Sequence, residues 1–471
     1  MAYRVLRWFL RLVAKVFFRQ IEVVGLEHVP TTGPVIFAGN HPNSLIDPML
    51  IITTCRRRVN FAAKDTLFKN RFMRQILRGL GAVPVARKDD HGAKADNEAA
   101  FTAMFGVLGE GGAIGIFPEG LSHDNSQLSK LKTGAARLAI GGAAAAGQPI
   151  RVVPCGLTFI NPKRFRSRVL VQYAEPLVVE PLAVGDTASH DAPAEGAAPA
   201  SSPEDAKRRA KDLTLAIDAA LRRLTINAPD WDTVRALDVV RRLYQPMDIS
   251  IEDRVELSRR FNTYYPQFAD HPSVIATLAK VRTYQQELDE LGISDRELAH
   301  DLTKLDIGAR IVRHLSLVSF WLPMTAPGAP LHVPTVLFAR FAGHHLTPRK
   351  DVVATTKIVI GVLLALVSYI VVIVTLWWQS GWRLAVVAGV ILVLSGWATL
   401  RVLDRFRLVR RALGTLFRRL RFRREVVRLR AQRAELVAEV IAVVNEVRPK
   451  DLTLLFPAED PRRGGGAVEP S

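Results

Sequence analysis

Two side chains able to take and steer a proton stand six positions apart in the polar break Asn40–His41–Pro42–Asn43–Ser44–Leu45–Ile46–Asp47–Pro48. An imidazole with a carboxylate on one ring nitrogen is a general base with its orienting partner. The carboxylate fixes the tautomer and supports the imidazolium that forms when the other nitrogen takes a proton. His and Asp at this spacing occur in many loops, so the reading depends on what else reaches the same place. A second block, Ile114–Gly115–Ile116–Phe117–Pro118–Glu119–Gly120, closes an apolar run with a carboxylate and a glycine. A third, Gly81–Ala82–Val83–Pro84–Val85–Ala86–Arg87, sets an arginine after a short extended piece. A fourth, Val152–Val153–Pro154, opens another apolar run. Ser44 beside His41 has the chemistry of a nucleophile. His123 and Asp124 either form a second dyad or stabilise the turn after Glu119–Gly120. His41 and His123 lack companion ligands, so no metal site is indicated.

The elements that must position these residues alternate. Strands are expected at 21–24, 35–38, 59–62, 113–117, 152–159 and 169–173, with helices near 44–53, 68–80, 97–108 and 134–145. Alternation of this kind predicts an α/β domain with a mostly parallel sheet flanked by helices. His41 then follows the end of one strand and Glu119 the end of another. In a parallel sheet both ends open on the same rim, where open α/β sheets bind ligands.

The four blocks, in this order, resemble the glycerolipid acyltransferase family, which makes phosphatidic acid and its relatives. That family's blocks read N-H-x4-D, a Gly followed six residues later by Arg, F-P-E-G, and V-P ahead of a strand. Here they stand as Asn40–His41 with Asp47, Gly81 with Arg87, Phe117–Gly120 and Val152–Pro154, within a resemblance reaching from about Glu22 to Leu177. Two departures stand out. Five residues rather than four separate His41 from Asp47, and Leu121–Ser122–His123–Asp124 follows Gly120 where many members have Thr-Arg-Ser. Both are similar to a fungal branch of glycerol-3-phosphate and dihydroxyacetone-phosphate acyltransferases, with H-x-N-x3-D and FPEG-x-SHD; the segment FRSRVLVQYAEPL looks like that branch too.

The resemblance implies direct O-acyl transfer from acyl-CoA or acyl-carrier protein to a hydroxyl of glycerol 3-phosphate or dihydroxyacetone phosphate. His41 would be the base and Asp47 its holder. A 1-acylglycerol-3-phosphate or other lysophospholipid is the alternative acceptor. Arg87 would grip the acceptor phosphate through paired donors. Glu119 and Gly120 belong to acceptor binding, with Glu119 accepting from a glycerol hydroxyl. Lys132, with Lys130, adds positive charge ahead of a helix whose N-terminus favours an anion. The resemblance implies no acyl-enzyme on Ser44 and no cofactor or metal beyond the thioester donor. The alternative of another class is a catalytically inactive membrane scaffold, which loss of His41 or Asp47 would favour; both are present.

The rest of the chain points to a membrane. With 471 residues, 49% hydrophobic and 23% charged, it is long enough for two or three structural units. Its 64 basic residues against 45 acidic draw it to polyanions: nucleic acid, anionic lipid or phosphorylated substrates. Cys55 and Cys155, each in an apolar stretch, suit a reducing compartment and no disulfide framework. Residues 1–19 carry Arg7, Arg11 and Lys15 on one side of a helix and Val5, Trp8, Phe9, Leu12 and Val13 on the other. That helix either lies in a membrane interface or packs on its own domain.

The acyltransferase domain is expected over 20–182 and an Ala/Pro/Ser linker over 183–203. A helical accessory region follows over 204–317 and a Pro-rich membrane-associated segment over 318–354. Apolar runs at 356–378 and 384–400 predict a transmembrane hairpin within 355–403, since a span needs roughly 20 apolar residues. Trp377, Trp378 and Trp382 cluster at its turn as interfacial aromatics do. An Arg-rich helical tail fills 404–471. Arg349 and Lys350 before the hairpin and the arginines after it, against Arg383 alone in the turn, put both flanks and the catalytic domain on the cytoplasmic face. Arginines beside a membrane suit anionic headgroups, or the outer face of a solvated helix. With little aromatic interleaving they do not suit nucleic acid.

Overall fold

The computed structural model describes residues 2–86, 97–181, 203–246, 249–299, 304–347, 349–450, 452–457 and 460. Arg87, all of the expected linker but its last residue, and the tail beyond 460 lie outside the described residues. The chain divides into two units, Met1–Asn227 with Pro348–Thr355, and Ala228–Thr347 with Thr356–Ser471.

In the first unit α1 (Ala2–Phe17) runs straight into β1 (Phe18–Val24). There follow β2 (Val35–Gly39), α2 (Ile46–Thr54), β3 (Val59–Lys64), α3 (Arg71–Gly79), β4 (Val83–Val85), α4 (Glu98–Gly109) and β5 (Ala113–Ile116). Then come α5 (Gly134–Ala146), β6 (Ile150–Phe159), β7 (Ser167–Tyr173), β8 (Leu177–Val179) and α6 (Pro203–Leu224). The strands form one sheet in the order β1-β7-β6-β2-β5-β3-β4, with β8 also on β6. All five residues of β2 are buried, as a strand covered on both faces must be, which explains its unbroken apolar run. It lies parallel to β5 on one side and to β6 on the other, Phe37 opposite Gly115 and Val153.

The expectation of a mostly parallel sheet holds for every pairing except those of β6 with β7 and with β8, which are antiparallel. The link from Phe159 to Ser167 is too short for a parallel crossover, which needs a dozen residues or more, so the chain can only turn back. On one face of the sheet, Ile36, Ile114 and Val152 meet Leu108 of α4, Leu138 of α5 and Leu221 of α6, all buried. Each such aliphatic side chain contributes roughly 1.5–3 kcal/mol by leaving water.

Helix α1 packs on its own unit by an unexpected face. Arg7 and Arg11 donate to the carbonyls of Cys55 and Thr53, at the C-terminal end of α2, where the helix dipole favours cations. Val13, Ala14 and Phe17 are buried, whereas Val5, Trp8 and Leu12 face outward.

The second unit is helical: α7 (Trp231–Tyr244), α8 (Ile251–Phe268), α9 (Pro272–Leu291), α10 (Asp295–Ala299), α11 (Lys304–Thr325), α12 (Ala329–His345), α13 (Val353–Ser380), α14 (Trp382–Arg421) and α15 (Arg423–Val447). The opening residues of α13, through Thr355, belong to the first unit. Asp230 and Ser250 cap α7 and α8, accepting from the N–H groups of Thr233 and Asp253. Tyr284 is fully buried and donates to Asp295 at 2.8 Å, which in turn accepts from Arg433 at 2.9 Å. Arg418 and Arg428 of the Arg-rich stretch pair with Glu297 and Glu287. The Pro-rich segment is two helices, α11 and α12, broken at 326–328. Among the described residues two helices are long and apolar enough to cross a membrane, Lys350–Ser380 and Trp382–Arg418. They meet at Gly381, whose φ of 87° only glycine adopts readily, with Trp377, Trp378 and Trp382 exposed around it.

Candidate active site

The parallel pairing of β2 with β5 delivers two loops to one rim. Beyond Gly39 comes His41; beyond Ile116 come Phe117 and Glu119. His41 is buried but for a tenth of its side chain, and Asp47, in the first turn of α2, is wholly buried. His41 Nδ1 and Asp47 Oδ2 are 2.8 Å apart. The same oxygen accepts from the backbone N–H of Asn43 at 2.7 Å, so the carboxylate is held before it holds the imidazole. His41 Nε2 makes no hydrogen bond among the described residues.

The extra residue between His41 and Asp47 does not separate them. The loop passes through Ser44 in the left-handed conformation, φ 51°, and its N–H donates to Ser122 Oγ at 2.9 Å before α2 begins at Ile46. Ser44 is thus tied through its backbone. Asn40 uses both ends of its amide on the backbone of Leu157 in β6, at 2.7 and 3.1 Å, fixing the start of the loop to the sheet. The ring of His41 lies flat on Phe117, centroids 4.1 Å apart and planes 6° from parallel.

Glu119 is buried and fully engaged. Its Oε1 accepts from the backbone N–H of His41 at 2.8 Å, and its Oε2 accepts from Ser129 N–H at 2.8 Å and from His123 Nε2. The backbone N–H of His123 donates to the His41 carbonyl at 3.2 Å. Glu119 therefore clamps the main chain of the proposed base, a role its motif does not announce. Gly120 turns the chain at φ 77°, its N–H donating to Phe117 O at 2.9 Å. Lys132 lies over it, exposed, with Cδ and Nζ each 2.8 Å from where a Cβ would stand. Lys130 is exposed as well. His123 and Asp124 do not pair with each other: His123 goes to Glu119, and Asp124 binds Lys163 at 2.5 Å. Phe117, Ser122 and Ser129 join the site without having been singled out; Phe117 and Ser122 lay inside quoted motifs, while Ser129 carried no signal.

Electrostatics follow from burial and partners. Loss of water pushes the Asp47 carboxyl above the usual carboxylate range, and the bond from His41 opposes this. The bond to Glu119 raises His123 above the ordinary histidine value. Burial pushes the Cys55 and Cys155 thiols up, away from nucleophilic thiolate. Among the described residues no group of three or more His, Cys, Asp and Glu is placed to hold a metal ion.

Comparison with known proteins agrees over both units. Residues 20–158 match the Acyltransferase family model, and residues 236–452 match that of the Glycerol-3-phosphate acyltransferase 2 C-terminal domain. Glycerol-3-phosphate O-acyltransferase 2 of Saccharomyces cerevisiae is 24% identical, over 75% of this chain and 62% of the yeast protein. Glycerol-3-phosphate O-acyltransferase 1 of the same yeast is 24% identical, over 78% of this chain and 60% of its own length. An uncharacterized acyltransferase of Schizosaccharomyces pombe is 23% identical over 98% of this chain and 83% of that protein. The chain spans less than two thirds of the length of both S. cerevisiae relatives. With both stretches matched in order, the chain belongs to the glycerolipid acyltransferase family.

Proposed function

We propose that this protein transfers a fatty acyl group from acyl-CoA or acyl-carrier protein to a hydroxyl of glycerol 3-phosphate or dihydroxyacetone phosphate, at the cytoplasmic face of a membrane. The observation that carries the reading is the His41–Asp47 bond of 2.8 Å with the opposite ring nitrogen left uncommitted. Nε2 of His41 removes the proton as the acceptor oxygen attacks the thioester carbonyl. The tetrahedral intermediate collapses by breaking the C–S bond, and the thiolate leaves with the proton carried by the imidazolium. Asp47 keeps Nδ1 protonated and stabilises the charged ring. The thioester is a substrate, and no cofactor or metal enters the scheme.

Gly120 lets the chain turn with its backbone open to the acceptor, and Lys132 above it supplies a positive charge for a phosphate. Arg87, outside the described residues, is proposed as the bidentate phosphate ligand. For Glu119 the bonds of its two oxygens favour holding the base in place, and a glycerol hydroxyl would have to share Oε2 with His123 and Ser129. The match of residues 236–452 to a domain named for a glycerol-3-phosphate acyltransferase favours a three-carbon phosphate over a lysophospholipid. Two apolar helices crossing as a hairpin, with cations on both flanks, support the cytoplasmic placement and contact with anionic headgroups.

The test is acyl transfer by detergent-purified protein from radiolabelled acyl-CoA, with glycerol 3-phosphate, dihydroxyacetone phosphate and lysophosphatidate offered separately and His41→Ala alongside. Product on a three-carbon phosphate, lost in the variant, is the expected result. Product on lysophosphatidate alone would overturn the acceptor, and activity retained by His41→Ala would overturn the base.

A further inference from the structure

The loop from Pro118 to Thr133 carries Glu119, Gly120 and His123, yet it contains no strand or α-helix. Its position rests on discrete bonds: Glu119 to His41 and Ser129, Ser122 Oγ to Ser44, Leu128 N–H to Asn227 Oδ1, and Asp124 to Lys163. One further bond comes from 227 positions away. Arg349 Nη2 donates to the Ser122 carbonyl at 2.7 Å. Ser122 is buried and held from two sides, its hydroxyl by the loop that carries His41 and Asp47 and its carbonyl by Arg349.

Arg349 is set up for this. Asp351, buried, accepts from its Nε at 3.1 Å and its Nη2 at 2.7 Å, a fork that fixes the guanidinium plane. Val353, Ala354 and Thr355 just beyond are buried too, and the whole segment 349–355 belongs to the unit that holds the sheet. The Arg349 side chain is 59% exposed, so the pair is not a core filler.

We propose that Arg349, held by Asp351, is a positioning residue for acyl transfer: it fixes the Ser122 carbonyl and through Ser44 keeps the His41–Asp47 loop in register with Glu119. This rests on the functional reading given above. Arg349 does not touch the reacting atoms; it acts on the loop that clamps the base. Cutting the side chain back removes this charged donor from the Ser122 carbonyl, and small errors in the placement of a base cost large factors in rate.

Arg349→Ala alone leaves the Asp351 carboxylate buried without its partner and risks local unfolding. The informative variants are therefore Arg349→Ala/Asp351→Ala, which removes both charges, and Arg349→Lys, which keeps a cation for Asp351 but loses the fork. In the full-length protein in detergent, the double variant is expected to unfold at the wild-type temperature and to lose about tenfold or more in kcat, with KM for both substrates within about twofold. Arg349→Lys should recover part of that loss. Adding Ser122→Ala to the double variant should cost less than it does in wild type, because both changes release the same loop.

Variants with wild-type kcat beside an active parent would overturn the proposal and leave the functional reading standing. A raised KM for the phosphate acceptor at unchanged kcat would also overturn it, making Arg349 a substrate ligand. A wild-type protein inactive on every acceptor and donor would remove the functional reading and the proposal together.

Discussion

Phe117 lies flat against the imidazole of His41, 4.1 Å between centroids, so the ring is gripped at its edge by Asp47 and across its face by an aromatic ring. The carboxylate alone permits the imidazole to swing about the Nδ1 bond; the stacked ring removes that freedom, and its π-face would suit the imidazolium of the proposed reaction. Phe117→Leu should therefore lower kcat by roughly tenfold with little change in KM. Steady-state kinetics decides, and an unchanged kcat would mean that the contact is only packing.

Asp47→Asn preserves volume and the bond from Asn43 while removing the charge that, in the proposed mechanism, supports the imidazolium. Loss of kcat on the order of a hundredfold or more is expected, with acyl-CoA binding retained. A variant retaining most of its kcat would leave His41 a base that needs no carboxylate.

Gly120 has φ 77°, and a Cβ there would meet Lys132 at 2.8 Å. Gly120→Ala should lower stability by about 1 kcal/mol or more through the backbone strain and push Lys132 aside. A raised KM for the phosphate acceptor should accompany the lower unfolding temperature. An unaltered KM would separate Lys132 from acceptor binding.

His123 is raised by its bond to Glu119. For a base with a raised folded value, the stabilisation is fully present below the unfolded value of about 6.5 and fades as pH climbs through the folded one. The difference in unfolding midpoint between wild type and His123→Gln should thus be largest in acid and shrink towards alkaline pH. A difference constant across that range would mean that the proton on His123 is not linked to folding.

Trp8, with Val5 and Leu12, faces outward from α1, the pattern of a helix lying in a membrane interface. Both native cysteines are fully buried, so a polarity-sensitive fluorophore on Trp8→Cys reports that site alone. Its emission should shift to the blue when the protein is moved from detergent into bilayers of anionic lipid, while the same probe on exposed Glu180→Cys should stay put. Equal behaviour at both positions would leave α1 an ordinary surface helix.

Much of this was legible along the chain. The apolar runs of β2 and β5 end just before His41 and Glu119, and parallel pairing of buried strands brings such ends together. The antiparallel β7 and β8 were less visible, because period and propensity do not state strand direction; only the seven-residue link after β6 does. The His41–Asp47 contact could not be inferred from spacing, since it depends on a left-handed Ser44 whose N–H is caught by Ser122. In the sequence Arg349 is one cation among those flanking a span. Nothing local to residue 349 announces a bond to residue 122, and long-range pairing of that kind leaves no periodic trace.

The interleaving of residues 349–355 with the sheet-bearing unit bears on how this enzyme can be divided. Cutting after α6 to isolate the sheet-bearing unit would amputate part of that unit, stripping Arg349 from Ser122. Gene shortening, alternative initiation or proteolysis between the two units would meet the same barrier. Any version of the sheet-bearing unit has to carry that short, distant stretch along with it.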